Sequence, residues 1–256
     1  MARIFITGSS DGLGALTANR LISRGHSVVL HARNPQRAAD ASAKVPGAAG
    51  VLVADLTSVQ ETLRLGAEAD AEYGPFDAVV HNAGLYVGME RVPGKDGLPS
   101  LFAVNVLAPY VLSASMRRPK RMVFVSSGMH RGGRHRLDGE GALVGAGYSD
   151  TKLHGIMLAN AFARRWGDVE VNSLDPGWVP TKMGGANAPD DIEAAVDTYV
   201  MLALGEGKAE GKTGGYFRDS EEKTPAKDAL DVGLQDRLLG ELERISGVKL
   251  PEGNGK

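Results

Sequence analysis

Short apolar runs alternate along the chain with longer segments whose apolar residues recur every three or four positions. Ile4 to Thr7 is the first such run and is closed by Gly8; an uninterrupted run predicts a strand buried on both faces. Leu13, Leu16, Leu21 and Ile22 then fall near helical spacing, and Gly25 supplies a stop. Ser27 to His31 reads as the next strand, Pro35 opens a helix through about Lys44, and Val51 to Ala54 makes a third strand ending at Asp55. A helix from Ser58 to Tyr73 follows, with Thr57 or Ser58 as candidate N-cap. Beyond it the pattern gives a strand at Ala78–His81, a helix around Leu101–Met116 and a strand at Met122–Val125. A long helix from Tyr148 to Trp166, a strand at Val169–Leu174 and a helix at Ile192–Leu204 come next. A short strand at Gly215–Phe217 and a terminal helix over Asp228–Ile245 complete the pattern.

Strands of the buried type alternating with helices predict one α/β domain, a doubly wound parallel sheet of about seven strands with helices on both faces. No composition shift or linker divides the chain. The expected domain therefore spans 1–248, with a substrate loop at about 183–215 and a Gly/Lys-rich flexible tail at 249–256.

Composition narrows the function. A chain of 256 residues with 43% hydrophobic and 23% charged residues is an ordinary globular protein. A net charge of −2 gives no electrostatic case for nucleic acid or an anionic membrane. The lack of cysteine excludes disulfides, thiolate zinc sites and a cysteine nucleophile, and it suits a reducing cytosol. The apolar run near the N-terminus is too short for a signal-peptide core, and none elsewhere approaches a membrane span. A cytoplasmic protein is the expectation.

Three stretches carry chemistry. Thr7-Gly8-Ser9-Ser10-Asp11-Gly12-Leu13-Gly14 follows the first strand and opens the first helix. Glycines there permit a tight turn and close approach of the backbone to a pyrophosphate at a helix N-terminus. Ala15 stands where a phosphate-transfer loop needs lysine, so a dinucleotide fits better than ATP. At the end of the second strand, Arg33 suits a ribose 2′-phosphate and points to NADP over NAD, although Asp11 in the glycine loop argues the other way. Asp55-Leu56 ends the third strand, where the carboxylate either meets the adenine amino group or caps the next helix. Asn82-Ala83-Gly84 lies at the carboxyl edge where ligands of open α/β sheets collect. Finally, Tyr-Ser-Asp-Thr-Lys at Tyr148–Lys152 sets a phenol and an ammonium on one helix face. A cation there favours phenolate and is expected to lower the tyrosine pKa.

This ordered set, with Asn105, Ser127 and Pro176-Gly177, resembles the short-chain dehydrogenase/reductase family over nearly the whole chain. The resemblance implies a single-domain Rossmann fold, an NAD(P) cofactor and a small alcohol or carbonyl substrate. It makes Tyr148 the acid/base, Ser127 a hydrogen-bonding partner of the substrate oxygen, and Lys152 a ligand of the nicotinamide ribose. Asn105 would support the lysine through a water. Gly8, Ser10, Gly12, Leu13, Gly14, Arg33, Asp55, Leu56, Asn82, Ala83 and Gly84 would line the cofactor with Pro176, Gly177, Val179 and Thr181. No metal is expected: His130, His135 and His154 read as surface residues. A cofactor-binding sensor without turnover is the rival from another class. A sugar-nucleotide epimerase would need a larger C-terminal part than the roughly 80 residues after Pro176.

The chain departs from the family pattern at several points. Ser127 and Tyr148 are 21 positions apart, and the insertion carries a basic loop, Met129 to Arg136, suited to an anionic substrate group. This loop and the ending Gly-Lys-Thr-Gly-Gly-Tyr-Phe resemble the retinol-dehydrogenase-like branch. Arg117-Arg118-Pro119-Lys120 cuts short a helix through which the family commonly dimerises, so homodimer and monomer both stay open. Met183 to Asp191 reads as a substrate lid, and Asp175 before Pro176 finds no functional account.

Overall fold

A computed structural model describes residues 1–139 and 141–252. One sheet of eight strands runs in the order β3-β2-β1-β4-β5-β6-β7-β8. Its strands are β1 (Arg3–Ile6), β2 (Ser27–Ala32), β3 (Gly50–Val53), β4 (Ala78–His81), β5 (Arg121–Val125), β6 (Glu170–Leu174), β7 (Tyr216–Arg218) and β8 (Glu221–Lys223). The first seven pair in parallel; β8 pairs antiparallel with β7.

The period of two along the strands sorts their side chains into two apolar layers. Ile4, Ile6, Val28, Leu30, Val80 and Leu174 pack beneath α1 (Gly12–Ser23), α2 (Pro35–Lys44) and α7 (Ile192–Leu204). On the opposite face, Phe5, Val29, Leu52 and Val79 meet α3 (Val59–Glu72) and the segment through Leu112. Met122, Phe124 and Val171 on that face meet α6 (Tyr148–Arg165) and α8 (Val232–Ser246). Helices on both faces make the sheet doubly wound, as the buried-type strands imply.

Three details differ from the sequence pattern, each with a local cause. The eighth strand arises because Asp219 and Ser220 both adopt positive φ, 52° and 57°, which turns the chain back as a tight hairpin without the usual glycine. The Ser220 amide donates to Thr198 Oγ1 at 2.8 Å, which anchors that turn. The helix over 101–116 is interrupted: α4 (Ser100–Phe102) passes through a π-turn at Ala103–Leu107 into α5 (Ala108–Ser115). Pro109 has no amide hydrogen for the Asn105 carbonyl, so the α-helical ladder cannot run through that position. The terminal helix begins afresh at α8 because Asp231 accepts from the Leu234 amide at 2.9 Å. Beyond it, the Val248 carbonyl accepts from Tyr110 Oη at 2.8 Å, Leu250 packs on the core, and the Glu252 carbonyl accepts from Arg118 at 2.5 Å. Residues 253–256 of the expected tail lie outside the described residues.

Candidate active site

Strand order reverses between β1 and β4, and the crevice at their carboxyl ends is where an open α/β sheet receives a ligand. Thr7 and Asn82 stitch its two lips together. Thr7 Oγ1 accepts from the amides of Asn82 and Ala83, each at 3.0 Å, and Asn82 Nδ2 donates to the carbonyls of Thr7 and Gly8 at 2.9 and 3.0 Å. The lips are too close for side chains. A Cβ on Gly8, which has φ +61°, would lie 2.7 Å from Ala83 Cα, and one on Gly14 would lie 2.6 Å from Asn82 Nδ2 and 3.0 Å from the Gly8 carbonyl. Gly14→Ala therefore destabilises the fold by about 1–3 kcal/mol and weakens cofactor binding, read as a lower melting temperature and a smaller ligand-induced rise in it.

Helix α1 starts inside this turn, capped by Asp11, which accepts from the Gly12 amide at 2.9 Å. The amides of the first helical turn have no intrahelical partner. With the Gly12 amide taken by Asp11, Leu13 and Gly14 present N–H groups and a positive dipole end to the crevice, a cradle that fits a pyrophosphate. Ser10 lies buried in the same loop. Asp11 does not oppose a phosphate as its sequence position implies. Lys44 at 2.6 Å, Lys182 at 2.6 Å and Arg37 at 3.6 Å surround its carboxylate, and the hydrogen bonds to Lys182 and Lys44 hold its pKa far below the usual range. Arg33 is exposed at the end of β2 and has no ion-pair partner among the described residues.

At the end of β3, Asp55 Oδ1 accepts from the Thr57 amide and hydroxyl at 3.0 and 2.7 Å, and Ser58 caps α3. Leu56 packs its side chain into the core with Phe5 and Val29, so only its backbone is available to a ligand.

The proton-handling residues converge from three elements. The Asn105 side chain binds the Leu85 backbone twice, accepting from its amide at 2.7 Å and donating to its carbonyl at 3.0 Å, and it donates to Thr151 Oγ1 at 3.1 Å. A Cβ on Gly84 would stand 3.5 Å from Lys152 Nζ and 3.6 Å from Asn105 Oδ1, so this backbone closes one wall of the site. Lys152 Nζ donates to the Val125 carbonyl at 3.0 Å and lies 5.5 Å from the centre of the Tyr148 ring. Ser127, at the end of β5, accepts from the Met129 amide at 3.2 Å. Tyr86 rests edge-on against the Tyr148 ring at 4.7 Å between centroids.

Burial, not the lysine, dominates the tyrosine. It pushes Tyr148 up to about 12, with the neighbouring Ser127 hydroxyl acting in the opposite sense. Burial also lowers Lys152 to about 8, against the raising effect of the Asp175 carboxylate. A depressed phenol, as the Tyr-x-x-x-Lys spacing alone suggests, is not what the buried site has.

Beyond the strand ends, Pro176 and Gly177 turn the chain, and Val179 is buried. The Thr181 amide donates to the Val179 carbonyl at 2.8 Å, and Thr181 packs 3.9 Å from where a Gly12 side chain would begin. The following loop is closed at its base, since the Trp178 amide donates to Asp190 Oδ2 at 2.6 Å.

The basic loop is fastened down. Arg136 pairs with Asp150 at 2.8 Å, the Arg134 amide donates to the same carboxylate at 2.7 Å, and Arg131 donates to the Thr224 carbonyl at 2.6 Å. Of the three histidines expected at the surface, His130 in this loop and His154 on α6 are buried, and His135 is half-buried. His130 is buried between the Ser127 carbonyl at 2.7 Å and the Ala226 amide at 3.0 Å, and buried His154 meets the His135 carbonyl at 2.8 Å.

Two supporting residues escaped the motif pattern. His31 Nδ1 accepts from the Gly8 amide at 3.0 Å while Nε2 meets the Ala54 carbonyl at 2.9 Å, so one buried ring ties the glycine loop to the end of β3. Tyr199 on α7 donates to Asn82 Oδ1 at 3.0 Å. An unexpected His in an otherwise apolar strand is the only hint of the first; the second carries no local signal.

The sequence profile of the family described as short chain dehydrogenase matches residues 2–191. The chain belongs to the short-chain dehydrogenase/reductase family. An uncharacterized oxidoreductase of Emericella nidulans is 46% identical over 99% of this chain and all of that protein. Human retinol dehydrogenase 14 is 27% identical, with 96% of this chain and 86% of that one covered. Among solved structures, a protein of Mycobacterium paratuberculosis superimposes with a TM-score of 0.77 at 22% identity, covering 98% of this chain and 95% of that one. This member of the family is therefore an oxidoreductase with a mostly parallel Rossmann sheet. Among its described residues, no helix is long and apolar enough to cross a membrane.

Proposed function

We propose that the protein is an NADP-preferring reductase that interconverts a carbonyl and an alcohol, with Tyr148 as the acid/base. The observation that carries this reading is the convergence of Ser127, Tyr148, Lys152 and the Asn105-braced Gly84 wall at the mouth of the β1/β4 crevice. The glycine-loop amides would hold the pyrophosphate, Lys152 and Asn82-Ala83-Gly84 would flank the nicotinamide ribose, and Pro176, Gly177, Val179 and Thr181 would border the carboxamide. When bound, the reduced nicotinamide supplies a hydride to the carbonyl carbon. Ser127 and Tyr148 hold the carbonyl oxygen, and Tyr148, protonated at neutral pH, gives its proton to the alkoxide as it forms.

Exposed apolar side chains rim the same edge. Tyr86 and Val87 follow β4, Met129 follows β5, and Trp178 and Met183 follow β6. Their placement favours an apolar substrate body.

The cofactor preference rests on Arg33, which at the end of β2 has no ion-pair partner among the described residues, and on an Asp11 already neutralised by Lys44 and Lys182. Loss of a charge-assisted phosphate contact costs about 1.5–3 kcal/mol. Arg33→Ser therefore raises KM for NADPH by about 10-fold to 100-fold and leaves NADH within a few-fold, measured as nicotinamide oxidation against a panel of aldehydes, ketones and quinones. A parent enzyme that uses NADH better than NADPH would overturn the preference.

A further inference from the structure

Behind the catalytic turn lies a charged cluster to which the proposed function assigns nothing. Asp175, at the end of β6, is buried to 3% exposure. Its Oδ1 accepts from the Gly177 amide at 2.9 Å, and its Oδ2 faces Arg218 Nη1 at 3.3 Å. The same Oδ2 lies 3.0 Å from where a Cβ on Gly128 would stand, so the carboxylate presses on the residue next to Ser127. A carboxylate this deeply buried is costly unless it is paired, and the half-exposed Arg218 is its ion-pair partner. Arg218 also reaches Asp190 at 3.0 Å and Asp219 at 3.5 Å, and Asp190 holds the Trp178 amide.

The geometry points to Asp175 and Arg218 as a positioning pair that acts on Lys152 from behind the Ser127 turn: Asp175 follows Leu174, which pairs with Val125 across β5 and β6, and the Val125 carbonyl holds Lys152 Nζ at 3.0 Å. This role builds on the reading of Tyr148 and Lys152 as the proton-handling residues. Other groups share the field: His130 from the turn after β5, Tyr216 on β7 and Tyr199 on α7 all lie within reach of the Asp175 charge, with Asp190 and Asp219 beyond Arg218 and Arg131 beside His130 and Tyr216. Of these, His130 and the tyrosines are held neutral by burial near pH 7. Among the described residues, the Asp175 carboxylate is the charged neighbour that raises the Lys152 affinity for its proton. A negative charge here keeps the ammonium charged and the phenol protonated, and both effects suit a site that delivers a proton.

The sign separates this role from a structural one. Asp175→Asn keeps the carbonyl that accepts from Gly177 but removes the charge, whereas Arg218→Gln leaves Asp175 unmasked. In protein carrying isotope-labelled lysine, the NMR titration of the Lys152 Cε, assigned with Lys152→Arg, is expected to move about one pH unit toward acid in Asp175→Asn and toward alkali in Arg218→Gln. Shifts in the same direction in both variants, or no shift in a folded Arg218→Gln, would overturn the proposal. Arg218→Gln alone decides the matter should Asp175→Asn not fold. Because no substrate or cofactor enters the titration, its outcome is independent of whether any carbonyl compound is reduced.

Discussion

Tyr148→Phe is expected, on the proposed function, to lower carbonyl-dependent NADPH oxidation by about 10²- to 10⁴-fold while NADPH binding stays within a few-fold of the parent. The ring remains, so its edge contact with Tyr86 and its place at the start of α6 persist; only the hydroxyl is lost. Removing a general acid costs the transition state a proton, not the ground state a contact, so kcat falls and KM changes little. Stopped-flow turnover and fluorescence titration with NADPH measure the two quantities. A variant that retained half the parent kcat would mean that Tyr148 is not the acid. A parent that bound NADPH but turned over no carbonyl on the panel would count against the choice of substrate class.

The fold is expected to lose stability steeply as pH falls from about 6.5 to 4. His31, His81 and His154 are buried, and desolvation lowers them to about 4, 3 and 4 from 6.5. Below 6.5 the unfolded chain takes up protons that the folded chain refuses, so each group's contribution is intact above 6.5 and is lost progressively toward 4. At pH 4 each accounts for about 3 kcal/mol at most, a combined loss comparable to the whole stability of a typical domain. Among the described residues, neither His81 Nδ1 nor His154 Nδ1 has a hydrogen-bond partner, so none is in place to accept from a second ring proton. Asp70, raised by burial, works in the opposite direction and softens the slope. Urea midpoints at pH 7, 6 and 5 test this: a flat series would show that these rings are charged or solvated. His154→Asn should reduce the slope by about one proton.

Much of this was readable from residue pattern, and the parts that were not share a cause. Strands β1 to β5 announce themselves because burial on both faces favours short, mostly apolar runs, whereas β6 interleaves Val171 and Leu174 with Glu170, Asn172 and Ser173. The glycine loop, Asn82-Ala83-Gly84 and the Tyr148–Lys152 pair announce themselves because each needs particular residue types at fixed local spacing. The residues that adjust the site act across long sequence separations. His31 reaches Gly8, Tyr199 reaches Asn82, and Arg218 reaches Asp175. No local periodicity encodes such contacts. The same holds for proton affinity: a Tyr-x-x-x-Lys spacing specifies neighbours, whereas the raised phenol and lowered amine follow from burial. The Asp219-Ser220 hairpin was hidden because its residues lack the glycine that usually marks such a turn.

That hairpin has a consequence for how copies of the chain meet. Strand β8 ends the sheet, is only three residues long and consists of Glu221, Glu222 and Lys223, all exposed. Lys208 pairs with Glu221, and Lys212 pairs with Glu222 at 2.9 Å. A short edge studded with charge is a poor template for an incoming strand. Cross-chain sheet extension, and the fibrous aggregation that begins with it, is discouraged on this side of the sheet.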